Sequence, residues 1–385
     1  MGLGSRRNGG TAERWNGVSS PETRATLIPS SRHPVIPFSR PHVPPSSRVL
    51  FAALALLTAC TSDPRTPVVI YSPHGPGLLK LAEQTFEAEN PDVDVRWLDM
   101  GSQDVLDRVR SERANPQADV WFGAPSMLFQ RAIADSLLAP YRPVWADAVP
   151  ARARGPGDFY FASYETPAVI AYNPEAVPAD EAPTDWDQVL EPKWRDRIII
   201  RDPIASGTMR AIWGMIVLRG IARTGDTAAG FDWLRRLDAQ TREYAINPAL
   251  LHQKIVRQEG VLSLWDLPDV LTERAKGQPF AFTLPTSGTP VIEDAVALIR
   301  DAPHPDAARR FIDWVGSVEA QLMAAREVWR LPARVDLPDD SLPAWAREVR
   351  AGLVVEPMDW ERLSRDGDAW MMWWDRHVRG RGAAR

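Results

Sequence analysis

Four short segments place serine, threonine, histidine or glycine where the backbone enters a helix. Helix starts offer free N–H groups and a positive dipole to an anion, and glycine permits close approach. Ser206-Gly207-Thr208 follows the apolar run RIIIRD (197–202), and Arg210 in the first turn adds charge. Ser206 can equally act as a plain N-cap, which requires no ligand. Gly101-Ser102-Gln103 and Gly123-Ala124-Pro125-Ser126 have the same form, and capping alone accounts equally well for either. The turn Ser72-Pro73-His74-Gly75 adds an imidazole, able to bind a metal or to donate N–H to an anion. The alternative for His74 is a surface turn residue. Trp265-Asp266 closes GVLSLWD (260–266). It offers an apolar face and an acceptor, suited to an organic ligand with hydroxyl or amine groups, although Asp266 can instead cap a loop. Tyr164-Glu165-Thr166 is a sixth, polar candidate.

These segments sit between elements of alternating type. VVIY (68–71), VDVRWL (93–98) and ADVWFG (118–123) read as strands. Between them, Leu78, Leu79, Ala82 and Phe86 recur at helical spacing up to the stop Asn90-Pro91, and Val105, Leu106 and Val109 mark one face of a second helix. A third helix carries Met127, Leu128 and Ile133. Strand and helix alternating at this spacing predict βαβ units on a parallel sheet. AVIAYN (168–173), RIIIRD, GVLSLWD and AVALI (295–299) are further strands. Met209, Ile212, Trp213 and Ile216 predict a helix with one apolar face, and HPDAARRFIDWV (304–315) an amphipathic one. The tail 340–380 reads as helical, with Trp370, Trp373 and Trp374 at the spacing of a docked face. Most of the 16 tryptophans read as packing residues rather than a ligand cage.

Composition narrows the function. At 44% hydrophobic and 25% charged, the chain is neither wholly disordered nor a polytopic membrane protein, and 385 residues suffice for about two domains. One cysteine excludes an internal disulfide and a multi-cysteine metal cluster. A net charge of −5 argues against a dedicated nucleic-acid binder. There is no H-E-x-x-H, G-x-S-x-G or P-loop motif and no Cys–His pair, so no catalytic residue and no cofactor is assigned.

The charge is uneven. Residues 1–59 hold seven Arg and two Glu, a net of +5, which leaves −10 in the body. Residues 1–47 are rich in Ser, Pro, Arg and Gly without hydrophobic period and read as disordered. Arg48 is followed by VLFAALALLTA and Cys60. That apolar run is too short for a stable bilayer span but fits a signal-peptide core. Leu57-Thr58-Ala59-Cys60 resembles a bacterial lipobox, which implies cleavage of 48–59 before Cys60 and a diacylglycerol thioether on it. Residues 61–66 then form a tether. The 47 preceding residues point to a true start downstream of Met1, with Val43 a candidate, or to a genuine long leader.

Four stretches in order, VVIYSPHGPGLLKLAEQTFEAENPDVDV, RSERANPQADVWFGAPS, PTDWDQVLEPKWRDRIIIRDPIASGT and TPVIEDAVALIRDAPHPDAARRFIDWVGSVEAQ, resemble extracellular solute-binding proteins of bacterial ABC importers. The likeness is to the branch of ferric-iron, phosphonate, sugar-phosphate and thiamine binders. It implies an α/β, two-lobed type II periplasmic-binding fold with the ligand in an interlobe cleft. Lobe 1 would comprise 67–162 and 290–335, lobe 2 165–285 and 336–380, with crossovers near Ser163–Thr166 and Thr286–Pro290.

By this resemblance, Ser72, His74, Ser102, Gly123, Ser126, Tyr164, Ser206, Gly207, Thr208, Trp265 and Asp266 are the candidate ligand-binding residues. It also implies an ABC permease and ATPase as partners, a monomeric protein, and a periplasmic or cell-surface location on a lipid anchor at Cys60. In ferric members a histidine in the first loop ligates iron, as His74 would, and a segment like Ser206–Thr208 binds the accompanying anion. Those members also carry adjacent tyrosines where this chain has LWDLPDV, and no tyrosine follows Tyr244. Phenolate is the hard donor suited to Fe(III). The expected ligand is therefore a small organic anion bearing phosphate or phosphonate. The alternatives are a ferric-iron receptor and, from another class, an enzyme or signalling receptor on the same scaffold.

Overall fold

The computed structural model describes residues 63–381; the leader, the apolar run and Cys60 lie outside the described residues. The apolar runs become strands because their β-branched side chains suit a pleated sheet covered on both faces. β1 (Thr66–Ser72), β2 (Val93–Asp99) and β3 (Val120–Pro125) alternate with α1 (Gly75–Glu89), α2 (Ser102–Ser111) and α3 (Ser126–Ala134). β1 pairs in parallel with both β2 and β3. α1 buries Leu78, Leu79, Ala82 and Phe86, and its last carbonyls accept from the N–H of Asn90. A short β4 (Leu138–Ala139) completes this part of the chain.

The second half repeats the scheme with β5 (Phe161–Tyr172), β6 (Ile198–Arg201), α4 (Gly207–Thr224), α5 (Ala228–Gln240), β7 (Thr241–Ala245), α6 (Pro248–Val256), β8 (Leu262–Asp266), α7 (Leu267–Ala275) and β9 (Ala281–Thr283). The chain then returns through β10 (Val291–Ile299), α8 (Pro305–Val315), α9 (Val318–Glu327) and β11 (Leu331–Pro332), and ends in α10 (Ala344–Gly352) and α11 (Trp360–His377). The main strand order is β2-β1-β3-β10-β5-β8-β6-β7.

Not all pairing is parallel. β5 and β10 run antiparallel to each other, β10 antiparallel to β3, and β5 antiparallel to β8. The reason is that β5 crosses between the two halves of the sheet. The first half of β5 pairs with β10 through Pro167, and its second half pairs with β8 from Ala168. One 12-residue strand thus belongs to both lobes, and it begins well before the AVIAYN run. Near the second expected crossover, Thr289 N–H bonds to Val354 O and Pro290 O accepts from Ala168 N–H.

Two further readings are corrected. α4 buries Met209, Ile212, Trp213 and Ile216, but also Arg210, Ala211, Gly214, Met215 and Val217, because it is covered on nearly every side. The tail is two helices, with residues 353–359 outside both. On α11, Trp370 and Trp374 are buried while Trp373 is only partly so, stacking on His377 and lying over Phe231.

Candidate functional site

A cleft of about 1130 Å³ opens where the ends of β1, β3, β6 and β8 face one another. This is the position that open α/β sheets reserve for ligands, beyond the carboxyl ends of their strands. The N-terminal turns of α1, α2, α4 and α6 line it, through Gly75–Gly77, Gly101–Ser102, Ser206–Thr208 and Asn247–Ala249. Ser206 Oγ caps α4 by accepting from Met209 N–H at 3.2 Å, and Asn247 Oδ1 caps α6 by accepting from Leu250 N–H at 2.8 Å.

Of the residues singled out from sequence, His74, Ser102, Ser206, Gly207, Thr208, Trp265 and Asp266 line the cleft. Ser72, Gly123, Ser126 and Tyr164 do not. They are buried, and three of them support His74 from behind. Ser72 Oγ accepts from His74 N–H at 3.2 Å. The Tyr164 ring lies 6.0 Å from the imidazole. At Gly123, φ is +95° and a β-carbon would lie 2.5 Å from His74 Cε1, so both backbone angle and space require glycine. Ser126 Oγ is buried without a hydrogen-bond partner, one residue beyond Pro125, which does reach the cleft.

His74 carries two buried ring nitrogens with no hydrogen-bond partner. Its Nε2 lies 3.8 Å from Asp294 Oδ2, an ion-pair separation rather than a hydrogen bond. Burial pulls the imidazole below its usual pKa despite that carboxylate. Asp294 is pushed up by burial, but His74, Arg330 and the hydroxyl of Thr166, which donates to its Oδ2 at 2.5 Å, leave it below the usual range. Arg330 also donates to His74 O at 3.1 Å.

The opposite wall is acidic. Asp266 Oδ1 caps α7 by accepting from Asp269 N–H at 3.0 Å. Burial, then the charge of Asp269, pushes the Asp266 carboxyl up to about 8, which favours a protonated form able to donate. Trp265 Nε1–H donates to Asp269 Oδ2 at 3.0 Å. His252 lies 3.6 Å from Asp269 and 3.5 Å from Glu273.

Sequence reasoning missed Arg201, Arg330, Asp294, His252 and Asp269. Arg201 and Arg330 are buried and line the cleft. Among the described residues, neither forms an ion pair. Arg201 reaches only the carbonyls of Asp202 and Ala245, at 3.5 and 3.4 Å, and Arg330 Nε is buried without a partner. Burial holds the Arg201 guanidinium below its usual pKa. Arg201 ends a strand already identified, so its place was readable from RIIIRD; Arg330 follows no motif. Among the described residues, no tyrosine lines the cleft, and no group of three His, Cys, Asp or Glu side chains is arranged to hold a metal ion.

Two lobes, one shared strand and a cleft ringed by helix starts define the type II periplasmic-binding fold. Residues 69–327 match the family described as bacterial extracellular solute-binding protein, and the chain belongs to it. It is 27% identical over 334 residues to the probable ABC transporter periplasmic-binding protein y4fP of Sinorhizobium fredii, covering 83% of this chain and 89% of that one. It is 25% identical over 340 residues to a putative 2-aminoethylphosphonate-binding periplasmic protein of Salmonella typhimurium, covering 84% and 97%. The fold matches that of AfuA from Actinobacillus pleuropneumoniae with fructose-6-phosphate bound, at TM-score 0.71, 24% identity and coverage of 82% and 99%. It also matches iron-bound HitA from Pseudomonas aeruginosa, at TM-score 0.67, 19% identity and coverage of 80% and 98%.

Proposed function

We propose that this protein captures a small organic anion, bearing phosphate or phosphonate, and delivers it to an ABC permease and its ATPase. The observation that carries this reading is the pair Arg201 and Arg330, both buried on the cleft wall and neither in a direct ion pair among the described residues. A buried, unpaired cation costs several kcal/mol. An arriving oxyanion offsets that cost, and the free N–H groups at the starts of α2 and α4 add to it. Trp265, Asp266 and Asp269 on the facing wall suit the hydroxyl or amine end of the same ligand. Ferric iron is the second reading, through His74 and nearby carboxylates; the lack of a cleft tyrosine weighs against it.

In this reading the protein acts as a monomer, with lobes of 67–162 plus 290–335 and 165–285 plus 336–380 closing about the crossovers near Ser163–Thr166, within β5, and near Thr286–Pro290. Cleavage before Cys60 and its lipidation tether it to a membrane, a reading supported by Arg48, the apolar run and Leu57-Thr58-Ala59-Cys60. Calorimetric titration with 2-aminoethylphosphonate, fructose 6-phosphate and ferric citrate tests the ligand class. Saturable heat with either phosphorus compound, lost in Arg330→Met, supports the proposal. Saturation by ferric citrate alone, unaffected by Arg330→Met, overturns it.

A further inference from the structure

The C-terminal helix α11 packs against both α3 and α4, one from each side of the cleft. At this junction Asp368 of α11 meets two arginines. Arg131 of α3 donates to it through Nη1 at 2.7 Å and pairs with its second oxygen through Nη2. Arg210 of α4 donates through Nη1 at 2.7 Å. The guanidinium of Arg210 faces the other way as well, with Nε and Nη2 donating to Ile204 O at 2.9 and 2.7 Å. Ile204 lies in the loop that leads into Ser206-Gly207-Thr208. On the same side, Gln103 N–H of α2 donates to Ala205 O at 3.4 Å.

We infer that Asp368 is a positioning residue: it joins the two lobes through one arginine from each, sets their resting angle, and holds the 202–206 loop that presents the α4 start to the cleft. The charge balance explains why one carboxylate has this effect. Without it, Arg131 and Arg210 remain as neighbouring like charges on opposite lobes, both mostly buried at their side chains. Like charges at reduced dielectric repel more strongly than in water, so removing Asp368 replaces a clamp by a repulsion. The loop also loses rigidity, since Arg210 is then free to leave Ile204 O. None of this depends on which solute the cleft takes.

The test uses the full-length chain with Cys60→Ser and spin labels at Lys80→Cys on α1 and Ala222→Cys on α4, both exposed positions. The expected result for Asp368→Asn is an interlobe distance distribution by pulsed electron resonance that shifts or broadens. Amide exchange over residues 204–208 is expected to rise roughly tenfold, with the melting cooperative. Asp368→Glu, which keeps the charge, is expected to restore both readouts. If Asp368→Asn does not fold, Arg131→Gln tests the interlobe link alone, through the distance distribution, because it cuts the link to one lobe and leaves the Arg210 pair, and with it the loop, intact. An unchanged distance distribution in whichever of the two is folded, or unchanged exchange in a folded Asp368→Asn, would overturn the inference.

Discussion

Gly207 and Pro125 meet at the junction of the lobes: a β-carbon on Gly207 would lie 2.6 Å from Pro125 Cδ, and 2.7 Å from Ser102 Oγ. Sequence alone makes Gly207 a point of ligand approach. Its closest neighbours are instead protein, on the facing lobe. Gly207→Val therefore acts as a wedge. It is expected to force α4 away from the α2 and α3 starts, to lower stability by about 1–3 kcal/mol as overpacking does, and to weaken ligand binding through geometry. Thermal melts and the interlobe distance measurement check this. A Gly207→Val protein with wild-type stability and lobe spacing would contradict it.

Arg330→Met and Arg201→Met are expected to separate stability from binding. Each loses a charged donor to the ligand, worth roughly 1.5–3 kcal/mol, or about 10- to 150-fold in affinity. Neither breaks a direct ion pair among the described residues, although the charge of Arg330 helps to hold Asp294 ionised. Removal of a desolvated cation stabilises the fold, while loss of the Arg330 bond to His74 O and of its charge near Asp294 offsets this, so stability is expected to change less than affinity. Calorimetry with the anion that binds, beside a thermal melt, reads both. Lower stability with unchanged affinity would place these arginines in structure alone.

Asp266 makes stability depend on pH in a definite direction. Burial and the charge of Asp269 raise its carboxyl in the folded protein to about 8, well above the ordinary carboxylate range, so the native state holds the proton where the unfolded chain has released it. The stabilising contribution is complete below about pH 4 and is lost as pH rises toward about 8. Asp266→Asn keeps an oxygen for the Asp269 N–H and cannot ionise. The melting temperature of the variant relative to wild type is expected to rise steadily between about pH 4 and 8. A difference that stays flat across that range would show that Asp266 is charged in the folded protein.

The scaffold was legible because its signals are local. VVIY, RIIIRD and GVLSLWD became strands at the expected positions, and Ser206 caps α4 as its place before GTMR implies. What was missed comes from contacts distant in sequence. Arg330 reaches the cleft from beyond α9 to bond the carbonyl of His74, 256 residues away. Asp294 meets Thr166 from a strand 128 residues on. Sequence makes Ser72, Gly123 and Tyr164 ligand contacts, whereas they pack against His74, because spacing cannot tell a residue that faces the cleft from one that packs behind it. α4 was read as one-faced because its apolar periodicity is visible, whereas burial of its other side depends on α5 and α11, which no local pattern reveals.

Cys60 is expected to be the lipid-bearing mature N-terminus. In a bacterial host fed a fatty-acid probe, wild type should be labelled and Cys60→Ser should not; a diacylglycerol group, unlike one acyl chain, gives a stable tether. Equal labelling of the two would sink this reading.

The most direct measurement is native mass spectrometry of the protein purified without added ligand, with the released solute identified by fragmentation. The account predicts a single bound organic anion carrying phosphate or phosphonate, present in wild type and depleted in Arg330→Met. A ferric ion, or a neutral or purely cationic solute retained equally by both proteins, would contradict it.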